Sequence, residues 1–149
     1  VARVTRAKLG AARQRLVRRG LPPAPILCAD TTVALGRRIL GKPADAAEAK
    51  ATLCALSGRS HRVLTAVAVH DGRRSHFALS TSSVRFADLP AEVIEAYVAS
   101  GEPFGKAGAY AIQSALAGWI ARIAGSYSGI MGLPLYETTQ LLRRAHLRF

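Results

Sequence analysis

Two strand-like runs separated by a tight-turn pair restrict this chain more than any other feature. Residues 62–70 are rich in valine, residues 75–86 return as a second β-prone run, and Asp71-Gly72 stands near their junction. Asp-Gly supplies the left-handed backbone that a tight turn needs, so the pattern predicts an antiparallel hairpin. The rest of the chain must therefore provide helices or further strands to cover it.

Those elements are readable on both sides. Residues 1–19 read as a helix stopped by Gly20 and Pro22, a common terminator pair. The chain opens inside this helix and without an initiator Met, the pattern of a fragment. Residues 26–29 are a short apolar run ending at Asp30 and fit a buried strand. Asp45, with Glu48 three residues on, resembles a capping box and starts a helix to about Leu56. Asp88 or Pro90 opens another through Val98, closed by Gly101. Apolar runs follow at residues 109–112 and 119–123, then a Gly/Ser loop at 126–132, then a helix from Pro134 to roughly His146. Alternating strands and helices with one hairpin predict an α/β fold, a mixed twisted sheet flanked by helices. With no repeat, linker or low-complexity tract, residues 1–149 read as one domain.

Composition narrows the setting. Half the residues are hydrophobic, enough for a core, and no run approaches the roughly 18 apolar residues of a membrane span. Cys28 and Cys54 lie in apolar runs without metal-ligand spacing and read as structural thiols of a reducing, cytoplasmic setting. The formal charge of +12 suits a polyanion, but seven of the bases fall in residues 1–20 and most are arginine. A phosphate-rich small substrate accounts for positive potential equally well. Nucleic acid is not the partner favoured here.

Six positions carry candidate chemistry. Asp30 directly after an apolar strand stands where open α/β sheets bind ligands, with Thr31 beside it. A carboxylate there can hold a hard cation or activate water; equally, it can be a turn former capping the strand. Residues 36–42 match the GxxxxGK of a phosphate loop, but Pro43 replaces its Ser or Thr and prevents a helix from starting there. Lys42 is then either a phosphate-binding charge in a rigid Gly41-Pro43 frame or a surface lysine. Gln113 both donates and accepts, matching the imide edge of uracil or thymine; a glutamine bonding backbone at a strand end reads the same way. Lys106 and Ser126 can contact phosphates, or serve their loops alone. The histidines at 61, 70, 76 and 146 show no metal spacing and receive no role.

In chain order these pieces form a series. Cys28-Ala29-Asp30-Thr31-Thr32-Val33, Leu40-Gly41-Lys42-Pro43, Leu56-Ser57-Gly58-Arg59-Ser60-His61 with Thr65, Lys106-Ala107-Gly108-Ala109-Tyr110-Ala111-Ile112-Gln113, and Met131-Gly132-Leu133-Pro134-Leu135 resemble the motifs of the Maf family of nucleoside triphosphate pyrophosphatases. The resemblance covers nearly all the chain. It implies an inosine-triphosphatase-like fold and cleavage of a nucleoside triphosphate to monophosphate and pyrophosphate with magnesium or manganese. It makes Asp30 the proton acceptor or metal ligand, Lys42 a phosphate-neutralising catalytic residue, and Thr31 and Gln113 specificity positions. Gln113 points to the dTTP/UTP branch. A homodimer is compatible with it.

Two departures accompany the likeness. The family's N-terminal strand and its Ser-x-Ser-Pro-Arg-Arg phosphate loop have no counterpart, and residues 1–8 resemble the helix that follows them. Ser114 stands where glycine is common, beside the expected base pocket. The alternatives to an active enzyme are a non-enzymatic septum-formation regulator or polyanion binder, and an inactive truncated homologue.

Overall fold

The computed structural model describes residues 1–148; Phe149, the last residue of the expected domain, lies outside them. The expected hairpin forms its centre: β3 (Ser60–His70) pairs antiparallel with β4 (Ser75–Phe86). The intervening turn is held by Asp71, whose Oδ1 accepts from the Arg73 and Arg74 amides, both at 2.7 Å. β1 (Ile26–Leu35) pairs with the other edge of β3, β2 (Arg38–Leu40) folds back on β1, and β5 (Ile120–Ala124) completes the order β2-β1-β3-β4-β5. The α/β class and the flanking helices hold. The four described pairings are all antiparallel, so no parallel pair of the anticipated mixed sheet occurs among the described residues.

Asp30 does not terminate a strand. Thr31, Thr32 and Val33 are β-branched and continue the ladder opposite Thr65, Leu64 and Val63, because such side chains suit a pleated surface. The acid is therefore mid-strand, and the strand-end argument for it fails.

Both faces of the sheet are covered. The run Ala66-Val67-Ala68-Val69 is buried throughout, the continuous pattern expected of a strand packed on two sides. On one side lies α1 (Ala2–Arg18), which buries Thr5 and Leu9. On the other, Val67 and Val69 meet Leu141 and Ala145, from the last turns of α5 (Leu135–Arg144) and just beyond. Further along that face, Val63, Val84 and Phe86 join α2 (Ala46–Leu56), α3 (Ala91–Ala99), Tyr110 and Ile112 in the main core. The capping box forms as a variant: Asp45 accepts from the Glu48 amide at 2.8 Å, while Glu48 reaches the Ala44 amide at 2.8 Å.

Two other expectations change. The Gly/Ser loop at 126–132 contains a short helix, α4 (Tyr127–Met131), because the Ser126 hydroxyl caps the Gly129 amide at 2.9 Å. Residues 109–112 form no strand. Gly108 (φ 73°) and Ala109 (φ 60°) both have left-handed backbone, which breaks extension and turns the chain back on itself.

Candidate active site

β2 covers β1 only at residues 33–35, and no described strand pairs with the outer edge of β1 before them. A cleft of about 360 Å³ opens along that edge, a size within the usual range for small-molecule sites. This position explains how neighbouring residues of one strand both reach it. Asp30 and Thr31 point to opposite faces, since strand side chains alternate, but at an edge either face borders the same opening. The expected residues Asp30, Thr31, Lys42, Lys106 and Gln113 all line it. They come from the middle of β1, the segment after β2, and the loop between α3 and β5.

Three lysines, Lys8, Lys42 and Lys106, face a single carboxylate, Asp30, in this lining. That balance favours a polyanion. Lys8 forms an ion pair with Asp30 and also donates to the Ala29 carbonyl at 3.4 Å. Asp30 keeps 19% of its side-chain exposure, so the carboxylate is held but open to solvent. Lys42 is exposed and has no ion pair among the described residues. No helix begins after it, in agreement with the rejected phosphate-loop match; Pro43 is buried and α2 starts only at Ala46. Lys106 donates to the Glu102 carbonyl, which ties its ammonium to its own loop.

Gln113 is exposed and lies in a turn rather than at a strand end. The loop carrying it is fastened at several points. The Gly108 amide donates to the Gly41 carbonyl at 3.0 Å, joining this loop to the residue beside Lys42. A Cβ on Gly108 would stand 2.9 Å from Val33 Cγ1, so only glycine lets the loop approach β1 this closely. Tyr110, which lines the cleft, hydrogen-bonds His61 Nε2 at 2.7 Å and packs edge-on against Phe86. Burial lowers the His61 pKa to about 4 and raises that of the Tyr110 phenol. Ser114 does not line the cleft. Its hydroxyl donates to the Ala111 carbonyl at 2.7 Å and accepts from the Leu116 amide.

A further wall is formed by Ile130, Met131 and Gly132 at the end of α4. Buried Thr65 links this wall to β1: its hydroxyl donates to the Gly129 carbonyl at 2.7 Å and lies 2.9 Å from the Thr31 hydroxyl. Ser126 is not in the lining and spends its hydroxyl on the α4 cap.

Sequence reasoning missed Lys8, His61 and Thr65 as parts of the site. Lys8 left one faint signal, as the single lysine among the seven bases of residues 1–20. His61 and Thr65 stand in the motif at residues 56–65, but both are buried behind the lining, and only tertiary contacts reveal what they do.

Residues 1–145 match the family model described as Maf-like protein. A protein of Polaromonas sp. is 66% identical over 148 residues, covering 99% of this chain and 73% of the relative. One from Burkholderia pseudomallei is 61% identical over 151 residues, covering 100% and 72%. One from Cupriavidus metallidurans is 60% identical over 149 residues, covering 100% and 74%. Each is named a dTTP/UTP pyrophosphatase. With the whole chain aligned to such relatives and the motif residues gathered at one cleft, the protein belongs to the Maf family.

Proposed function

We propose that this cleft hydrolyses dTTP and UTP to the monophosphate and pyrophosphate. The observation that carries this reading is the convergence of Asp30, Lys42 and Gln113, separated by 83 residues of sequence, on one opening. The shared name of relatives at 60–66% identity agrees with it. A regulator without activity, or a polyanion binder, is not favoured.

Asp30 accepts a proton from the water that attacks the α phosphorus, a role that requires an ionised carboxylate open to solvent. Lys8 holds that carboxylate in position. Lys42 and Lys106 neutralise phosphate charge as it shifts toward the leaving pyrophosphate. Gln113 and Thr31 share the imide edge of the base, the Gln113 amide N–H donating to a ring carbonyl and the Thr31 hydroxyl meeting the N3–H.

No group of three or more His, Cys, Asp or Glu able to hold a metal occurs among the described residues. One carboxylate in the cleft fits a magnesium or manganese ion carried mainly by substrate phosphates, the usual mode for a hard cation that keeps most of its ligands outside the protein. Asp30 would hold it, and the bound cation supplies charge neutralisation at the phosphates. The same reading places the protein, as a single domain, in the cytoplasm, where reduced Cys28 and Cys54 belong. No described helix is long and apolar enough to cross a membrane. A homodimer is the assembly to look for by light scattering.

The test is direct. Purified protein is incubated with magnesium and dTTP, UTP, CTP or GTP in turn, and the products are separated by ion exchange. Monophosphate and pyrophosphate are expected from dTTP and UTP. Release of orthophosphate, or equal turnover of GTP, overturns the assignment.

A further inference from the structure

The proton positions in the Thr31–Thr65–Gly129 chain follow from counting. A threonine hydroxyl has one proton to donate, and a carbonyl has none. Thr65 Oγ1 lies 2.7 Å from the Gly129 carbonyl oxygen. At that distance two oxygens need a proton between them, and only Thr65 can supply it. Thr65 Oγ1 also lies 2.9 Å from Thr31 Oγ1, and this second contact needs a proton as well. Thr65 has none left, so it comes from Thr31. Full burial of Thr65 leaves it no water with which to exchange these roles.

We infer that Thr65 makes Thr31 an acceptor-only hydroxyl toward the cleft, so that Thr31 recognises an N–H on the substrate base and repels a lone pair. This deepens, and rests on, the dTTP/UTP reading. Uracil and thymine present an imide N3–H; cytosine has a lone pair at the same ring position. A free hydroxyl would rotate to suit either base. One whose proton is committed to Thr65 favours the first and leaves lone pair against lone pair with the second. Discrimination of this kind is strong, because the penalty falls on the wrong base as an unpaired polar contact. Thr65 does not border the cleft; it is a positioning residue that acts through Thr31.

The test compares kcat/KM for UTP and CTP in the wild type, Thr65→Val and Thr65→Ser. The valine has nearly the same shape but no oxygen, so it frees the Thr31 proton to turn toward the cleft. The UTP/CTP ratio should fall about tenfold in Thr65→Val, the effect of one hydrogen bond, and return in Thr65→Ser. A ratio within twofold of wild type in a folded Thr65→Val protein overturns the inference. The wild type should also reject 3-methyl-UTP, which lacks the N3–H; hydrolysis as fast as that of UTP overturns it without any variant. Neutron diffraction on deuterated crystals separates this inference from the reading it rests on. Deuterium on Thr65 directed at Gly129, and on Thr31 directed at Thr65, upholds the acceptor-only state, whatever nucleotides the protein cleaves. Deuterium on Thr65 directed at Thr31 refutes it. A wild type with the expected proton positions but no preference for UTP over CTP refutes the role of that state in reading the base.

Discussion

The imidazole of His61 meets the phenol of Tyr110 across 2.7 Å, with both rings buried and Phe86 stacked beside the imidazole. His61 Nδ1 has no partner among the described residues, so a second proton on this ring would be buried and unsatisfied. Burial accordingly holds its pKa near 4, against an ordinary value of 6.5. As pH falls from 6.5 the unfolded chain takes up this proton while the folded chain does not, so stability is lost on acidification. The contribution is complete above pH 6.5, declines toward pH 4 and changes no further below it. The loss reaches up to about 3 kcal/mol. Urea unfolding at pH 7, 5.5 and 4.5 measures it, and His61→Phe should flatten this window. Asp71, whose pKa is lowered chiefly by the Arg74 and Arg73 amides, adds its own loss only at more acid pH.

Asp30→Asn should reduce kcat by about 10²–10⁴-fold, the range for removing a general base, with little change in unfolding free energy. Lys8 is about half exposed, and ion pairs of that kind contribute at most about 1 kcal/mol to stability. Lys8→Met should therefore also fold normally while losing activity. Combined with Asp30→Asn it should have a much smaller effect than alone, because the two side chains act through one contact. Additive effects in steady-state kinetics would separate Lys8 from Asp30.

Gly108→Ala should destabilise the protein by about 2–4 kcal/mol. The left-handed backbone costs an L-residue roughly 1–2 kcal/mol, and the new methyl collides with Val33, a clash of the overpacking kind. Gly10 offers the contrast: it lies within α1 with nothing near its missing Cβ. Gly10→Ala should stabilise by about 0.5–1 kcal/mol. Thermal unfolding of the pair reads both signs, and a neutral Gly108→Ala would contradict the close approach of loop and strand.

Gln113 is exposed and its side chain forms no hydrogen bond among the described residues, so Gln113→Ala should leave stability within about 0.5 kcal/mol of wild type. Its effect should fall on selection, lowering kcat/KM for UTP by 10-fold or more and narrowing the preference over GTP. Lys42→Met should instead weaken all triphosphates alike. Unaltered UTP/GTP discrimination in Gln113→Ala would remove the glutamine from base reading.

Local chemistry made much of the fold legible. The Ser75–Phe86 strand and the Asp45 cap appear where propensity and capping place them, because each depends on residues a few positions apart. Asp30 was misplaced within its strand because what extends β1 is the ladder to β3, a partner some 30 residues away. The 126–132 loop hid a helix because glycine and serine disfavour one, and a single capping bond tipped the balance. Asp30, Lys42 and Gln113 were found through family motifs, whereas composition and spacing left Asp30 with an equally good structural reading and Lys42 and Gln113 with a better one. Lys8 was not found, and His61 and Thr65 stood in a motif without a role, since an ion pair to β1 and two buried hydroxyl contacts exist only after folding.

The hydrogen bond from the Gly108 amide to the Gly41 carbonyl joins the segment bearing Lys42 to the loop bearing Gln113 through main chain alone. Neither functional side chain takes part in that bond. The molecule thus contains a ruler: exchanging Lys42 or Gln113 alters what is felt at either end, while the gap between them stays constant. A variant at either position thus probes the chemistry of that side chain without cutting the bond that joins the two segments.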